Sequence, residues 1–378
     1  MPHKELSGRV AVVGVGTTGF GKLPGWSAED LGIWALDNAL ADCGLGRADI
    51  DGLIVNRIPD YQRFCQMTGL DPRFVNVTPG QGRMSGATIQ IAALAVAAGM
   101  CETVALVYGN NGRTGGVKYG GASDRYGATA GGEWFAYGMT SPGAVHAMMF
   151  DRHRHEYGTT PEQLAHVAVT FREHAALNPD AVMRERISAE DYHASRFIAE
   201  PLHLFDYCLI NDGGVAMILT TPERARDLAR PPVHLCGFAQ SSALPTSGFP
   251  PDDFWRVPMG QVATEVREMS GIGPRDLSGA MIYDNFSPTV LFTLEGFGFC
   301  PVGESGAYVA EGALALGGAM PANTSGGHLS ESYMQGWALN VEAVRQLRGD
   351  CGPRQIPDAE IIQYMCAAPV VSAIVYSR

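Results

Sequence analysis

The sequence predicts an α/β fold built from two halves with the same order of elements. Apolar runs of strand length recur without polar alternation, as in Arg9–Val15 (Arg-Val-Ala-Val-Val-Gly-Val), the pattern of strands buried on both faces. The succession strand, helix, strand, glycine-rich turn, helix, strand also occurs twice, offset by roughly half the chain, which reads as a structural duplication. The expected boundary lies near Arg230, before Pro231-Pro232, giving one half over residues 1–230 and the other over 231–378.

Gly14, Gly16, Gly19 and Gly21 follow the first strand, but their spacing does not match G-x-G-x-x-G opening a helix, so a dinucleotide site is rejected. Ser27 is a good N-cap for a helix over Ala28–Cys43, with apolar positions at Leu31, Trp34, Ala35 and Ala39. Asp51–Val55 reads as the second strand. A glycine-rich turn over Asn76–Gly86 follows, then an Ala-rich helix over Ala87–Ala98 and a strand over Thr103–Tyr108. Asn110–Gly143 is loop-like, with ten glycines between 112 and 143, and opens a loop domain expected over about 110–200. His146–Tyr157 and Pro161–Ala176 read as helices, and Asn211-Asp212-Gly213-Gly214 as a sharp turn before an apolar strand ending at Leu219. In the second half the spacing predicts a strand over Val233–Phe238, a helix over Val257–Ser270 and a strand over Gly279–Tyr283. A helix over Trp337–Leu347 and a strand over Ile361–Cys366 complete it.

The composition is that of a soluble globular enzyme: 378 residues, 46% hydrophobic and 17% charged. A net charge of −12 argues against a broad nucleic-acid surface or an anionic membrane face. The start lacks a signal peptide's apolar core, and the longest apolar run, near Ile91–Ala98, is too short to span a bilayer. Eight scattered cysteines without metal-ligand spacing predict free thiols in a cytoplasmic protein. His153-x-His155 puts its two rings on different helix faces, which predicts structural or solvated histidines and no metal.

The second half is organised around Asn323–Gly336 (Asn-Thr-Ser-Gly-Gly-His-Leu-Ser-Glu-Ser-Tyr-Met-Gln-Gly). Glycines at 326 and 327 let the backbone turn sharply, and a helix follows at once. Such a turn offers backbone N–H groups to developing negative charge, and its plainer reading is a helix-capping loop of solvated polar residues.

Several motifs together resemble the thiolase superfamily, in its lipid-transfer-protein-type, acyl-CoA-using branch. They are the opening strand, Ser85-Gly86 before the Ala-rich helix, Asp206–Cys208 through Asp212–Gly214, Leu294–Gly298 with Gly303-Glu304, Pro321, Asn323, Gly326-Gly327 and Gln363–Cys366. The resemblance implies the thiolase fold: two duplicated βαβαβαββ halves in a five-layered αβαβα arrangement, plus a loop domain, usually as a dimer. Dimerisation is expected through the Ala-rich helix and the Thr103–Tyr108 strand. Where thiolases carry the nucleophilic cysteine this chain has Arg83, which leaves no acyl-enzyme route. The two positions that hold an oxyanion in thiolases are here Tyr333, in Ser332-Tyr333-Met334, and Tyr283, in Tyr283-Asp284-Asn285-Phe286. That tyrosine pair is similar to the steroid side-chain-cleaving aldolases, thiolase relatives that perform a retro-aldol reaction.

The resemblance implies cleavage of a 17-hydroxy steroid side-chain acyl-CoA to a 17-keto steroid and propionyl-CoA or acetyl-CoA. It also implies a small OB-fold, zinc-ribbon partner protein and no cofactor, coenzyme A arriving as the substrate's thioester. Tyr283 and Tyr333 are the expected acid–base pair, because a neutral phenol donates well at pH 7 and a phenol with neighbouring donors can act as base. His328 is expected to tune Tyr333 or contact the thioester. Gly327, Asn323, Asp284, Asn285 and Cys366 are expected to support the turn or the oxyanion, backbone N–H groups of the glycine turns to hold the thioester oxygen, and Ser85 and Gly86 to bind substrate. Glu304 is expected to fix a turn near the acyl-CoA channel. Two alternatives stay open: a non-catalytic acyl-CoA-binding scaffold subunit, and an acetyl-CoA acyltransferase.

Overall fold

The computed structural model describes residues 3–117, 137–139, 141–244 and 250–378; the remainder of the expected loop domain, 118–136 and 140, lies outside them. In the main sheet the first-half strands are β1 (Ala11–Thr17), β2 (Gly52–Asn56), β3 (Phe74–Thr78), β4 (Thr103–Asn110) and β5 (Gly213–Thr220). Second-half strands are β6 (Val233–Ser242), β7 (Gly279–Ile282), β8 (Ile361–Cys366) and β9 (Val370–Ser377). Their lateral order is β3-β2-β4-β5-β1-β6-β9-β8-β7. In the sheet the halves pair where Ala11 faces His234 and Val12 faces Val233. Outward from this joint, the first half runs first, last, fourth, second, third strand. The second half runs β6, β9, β8, β7 and then Ala322, which bridges Ala280 in parallel. Both halves therefore share one topology.

The helices set the layers. α1 (Ala28–Cys43) begins with a capping box, Ser27 Oγ accepting from the Asp30 N–H and Asp30 from the Ser27 N–H, and ends at Gly44 in the left-handed region. Its Ala35, Leu36, Ala39 and Leu40 cover the outer face of the first-half strands. Gly14 and Gly16 are glycines because a Cβ on either would overlap the α1 backbone at Ala39, which explains the motif without any nucleotide. α2 (Tyr61–Thr68) precedes β3. α3 (Ser85–Ala97), and later α8 (Trp337–Arg348), are buried on nearly every side because each lies between the halves. Gln90 of α3 donates to the Ala239 carbonyl on β6, and Arg348 of α8 donates to the Val13 carbonyl on β1. α4 (Pro142–Tyr157) and α5 (Pro161–Ala176) belong to the long insertion between β4 and β5. α6 (Arg256–Ser270) and α7 (Ser287–Gly296) pack with β9 in a second apolar cluster on the far side, which completes the αβαβα layering.

Three expectations need correcting. The glycine-rich turn is shorter than Asn76–Gly86: Asn76 to Thr78 lie in β3, and α3 already starts at Ser85. Gly213 and Gly214 open β5, so the sharp turn is confined to Asn211-Asp212. There the Asp212 carboxylate accepts from the N–H groups of Leu23, Arg113 and Thr114. The Thr103–Tyr108 strand cannot be a dimer edge. It lies inside the sheet between β2 and β5 with every residue buried, whereas the free edge is β3, with Val75 and Val77 exposed.

Among the described residues no helix is long and apolar enough to cross a membrane, and no group of three or more His, Cys, Asp or Glu is placed to hold a metal ion. All eight cysteines are free thiols. His153 is buried, its Nε2 2.9 Å from Glu295 Oε1 and its Nδ1 2.9 Å from Thr159 Oγ1.

Candidate active site

Two short segments of the second half carry the tyrosines, and the fold brings them together. β7 delivers Tyr283 at its C-terminal end. The turn after Asn323 carries the chain through a single helical turn, Gly327–Ser330, and on to Tyr333. The two phenol oxygens lie 2.8 Å apart, in hydrogen-bond contact. Tyr283 is 2% exposed, while Tyr333 is half-buried and lines a small pocket with Asn110, Asn211, Leu209 and Arg57. Burial, then the neighbouring Tyr333, pushes the Tyr283 phenol well above its ordinary range, so Tyr283 holds its proton at neutral pH.

The remaining polar residues of the turn grip the tyrosine-bearing strand. Asn323 is buried with φ +46°; its side-chain oxygen accepts from the Ile282 N–H at 2.7 Å and its amide donates to the Ile282 carbonyl at 2.8 Å. That fixes the residue before Tyr283 through both of its peptide groups. Asp284 accepts from the backbone N–H groups of His328 (2.9 Å) and Leu329 (3.2 Å). Burial nevertheless drives its carboxyl up to about 8 against those donors. Gly327, at φ +61°, is required because a Cβ would overlap the Asp284 carboxylate and press on Asn323. Asn285, just before α7, accepts from Thr289 Oγ1 at 3.0 Å.

His328 stands edge-on to both tyrosine rings, with centroids 4.7 Å from Tyr283 and 5.1 Å from Tyr333. It hydrogen-bonds neither phenol. Its Nε2 accepts from the Gly336 N–H at 2.9 Å, which places the proton on Nδ1, 3.3 Å from Asp284 Oδ1. Burial pushes this imidazole down to about 3. His328 is a neutral wedge between the tyrosines and the start of α8.

Several N–H groups of the central turn, expected to face an oxyanion, are taken within the protein. Gly326 donates to the Asn323 carbonyl, Gly327 to Ser325 Oγ at 3.5 Å, and His328 and Leu329 to Asp284. Tyr333 donates to Asn211 Oδ1 at 2.7 Å, and Gly336 to His328. The turn is also not solvated: Asn323, Thr324, Ser325, His328 and Ser332 are fully buried. Below it, Glu331 accepts from Ser325 and Asn178, Arg172 donates to Ser330, and Glu342 pairs with Arg354.

The first-half turn closes the site from the other side. A Cβ on Gly82 would overlap the Tyr283 oxygen and collide with that of Tyr333, so the Gly82 backbone is pressed against both phenols. Ser85 hydrogen-bonds the Tyr364 hydroxyl at 2.9 Å, and a Cβ on Gly86 would overlap Ser372 Oγ. These two residues seat α3 against β8 and β9, and both are buried away from any open surface. Cys366 is buried, its thiol pushed up to about 12 with Arg83 pulling the other way. Glu295, on the Leu294–Gly298 motif, is held by His153 and by Ser305 of the segment after Glu304. The sequence reading missed Gly82 and Asn211. Both lie in turns that it recognised, but their contacts are with residues more than a hundred positions away.

The thiolase C-terminal domain-like family matches residues 251–371. The steroid side-chain-cleaving aldolase of Thermomonospora curvata is 40% identical over 359 residues, covering 91% of each chain. The 17-hydroxy-3-oxo-4-pregnene-20-carboxyl-CoA lyase of Mycobacterium tuberculosis is 37% identical over 365 residues, covering 91% of this chain and 92% of that one. Among solved structures, an Ltp2-ChsH2(DUF35) aldolase superposes with a TM-score of 0.90 at 36% identity, covering 98% of both chains.

Proposed function

We propose a mechanism for a chain whose family is known: it belongs to the thiolase superfamily, among the steroid side-chain-cleaving aldolases. It is a carbon–carbon lyase that cleaves the side chain of a 17-hydroxy steroid acyl-CoA by a retro-aldol reaction. The products are the 17-keto steroid and a short acyl-CoA, propionyl-CoA or acetyl-CoA according to side-chain length. The observation that carries the mechanism is the phenol pair at 2.8 Å in the place of an acyl-transfer site.

Retro-aldol cleavage removes the hydroxyl proton, forms the ketone, and sends the electrons of the breaking carbon–carbon bond into the thioester as an enolate. Protonation of the enolate carbon completes it. Tyr333, the member facing the pocket, meets the substrate hydroxyl, and Tyr283, held protonated, donates to the Tyr333 oxygen and lowers the cost of charge there. The pair titrates as a unit. His328, Asn323 and Asp284 act as positioning residues for the two rings. Coenzyme A arrives as part of the substrate, and the chemistry calls for no further cofactor.

The neighbouring aldolase complex supports a DUF35-type partner with an OB fold, and the free edge of β3 supports a homodimer through Val75 and Val77. Light scattering of the chain with and without the partner checks both assemblies; a monomer that ignores the partner refutes them.

The test is incubation of the chain and its partner with a 17-hydroxy steroid side-chain acyl-CoA, with products identified by mass spectrometry. The ketone and the short acyl-CoA are expected, with turnover lost by orders of magnitude in Tyr333→Phe and Tyr283→Phe. Full activity in either variant sinks the assignment. Tight acyl-CoA binding without cleavage supports a scaffold subunit instead.

A further inference from the structure

An enolate needs a donor, and the N–H groups of His328, Leu329, Tyr333 and Gly336 in the central turn are taken by Asp284, Asn211 and His328. The first-half turn holds an unspent one. Arg83 directly follows Gly82, whose backbone touches both phenols. Its Nε is shielded from solvent and has no hydrogen-bond partner. Its charge is felt by the buried Cys366, which in turn acts on Tyr283. A buried guanidinium N–H without a partner costs stability, the more so because it is charged. Such a group calls for a reason, and completion by a bound substrate is one.

We propose that Arg83 is a catalytic residue that binds the thioester oxygen and stabilises the enolate as the carbon–carbon bond breaks. The inference rests on the retro-aldol reading and adds a residue to it. In the step, the hydroxyl proton passes to the tyrosine pair, the oxygen's electrons form the ketone, and the bond pair flows through the α-carbon onto the thioester oxygen. Arg83 donates a hydrogen bond to that oxygen and transfers no proton. The enolate then collapses as its carbon takes a proton from the pair, with no net redox change. The position that carries a nucleophile in an acyl-transfer enzyme thus carries a charged donor, which fits a reaction with no covalent intermediate.

The experiment uses the complex with its partner and three variants, Arg83→Met, Arg83→Lys and Arg83→Ala. Loss of one such donor is expected to lower kcat by about 10²–10³-fold. Arg83→Lys, which keeps the charge but not the planar fork, should recover only part of the rate, and added guanidinium ion should raise the Arg83→Ala rate. Arg83→Met should melt at the same temperature as the wild type or higher, because it removes an unsatisfied buried donor; a merely structural arginine would lower it. A second readout is exchange of the α-protons of propionyl-CoA with deuterated water, which tests enolate formation without any steroid. Arg83→Met that cleaves and exchanges within threefold of the wild type overturns the proposal. A wild type that exchanges but does not cleave the 17-hydroxy steroid thioester sinks the steroid reading and leaves Arg83 standing.

Discussion

The two glycine turns that meet at the site occupy comparable places in the two halves and have opposite characters. The second-half turn, Asn323–Gly336, is sealed: its residues are almost all buried, and the N–H groups of His328, Leu329, Tyr333 and Gly336 are tied to Asp284, Asn211 and His328. The first-half turn, around Gly82 and Arg83, is half-buried and keeps an unsatisfied donor on Arg83. Duplication delivers two similar turns to one place, and this chain uses one as a mount for the phenols and the other as the surface they work against. A mount fails by losing its fastenings and becomes unstable. A working surface fails by changing shape and becomes inactive while still folded. Substitutions in the two turns therefore separate along those lines.

The largest effect is expected in the first turn. Gly82 has a backbone conformation open to alanine, so Gly82→Ala introduces no strain of its own, only a methyl group driven into two phenol oxygens. Separating them should lower kcat by about 10²-fold, as misplacement by an ångström does elsewhere, with little change in urea midpoint. Gly80→Ala is the control: its Cβ would meet Arg57 at an ordinary 3.4 Å, so its activity should stay near wild type. Equal activity in the two variants would mean that contact with the phenols is not what Gly82 is for.

The second turn should break the other way. Asn323→Ala removes both hydrogen bonds to Ile282, leaves two buried peptide groups without partners, and puts alanine at φ +46°. A loss of about 2–4 kcal/mol in urea unfolding is expected. Asn323→Gly should lose less, because glycine tolerates the left-handed backbone, and the gap between the two variants measures that strain.

This division explains how far the sequence could be read. Ala28–Cys43, Pro161–Ala176 and Ile361–Cys366 come out with the bounds that periodicity and caps predict, because their cues are local. α7 carries no such cue: it is buried on nearly every side, so its apolar residues show no helical stripe. β3 was hidden for the opposite reason, as an edge strand too exposed to read as an apolar run. The tyrosine pair was legible through its motifs, but its distance was not, and neither was Gly82. Whether a glycine in a turn is there for its φ or for a neighbour's atoms depends on chain segments two hundred residues away. His328 illustrates the same limit: its type suggests proton transfer, and only the Gly336 N–H at its Nε2 reveals a positioning role.

The smallest and most specific effect should come from Glu331, beneath the sealed turn. Burial, reinforced by Glu342, pushes its carboxyl up to about 7 from an ordinary value of 4.5. The folded state therefore binds a proton more tightly than the unfolded chain. That preference favours folding fully below pH 4.5 and is lost as the pH rises to about 7. Above pH 7 the charged carboxylate is an uncompensated cost of about 1–3 kcal/mol. Glutamine keeps an acceptor for Asn178 and can donate to Ser325, the two contacts Glu331 makes, without any charge to bury. Melting curves of wild type and Glu331→Gln should run together near pH 5 and separate toward pH 8, with the variant more stable and cleavage unchanged. A variant that is less stable than wild type at pH 8 would show that the carboxylate is a fastening of the mount, held ionised by its donors, and not a strain stored in it.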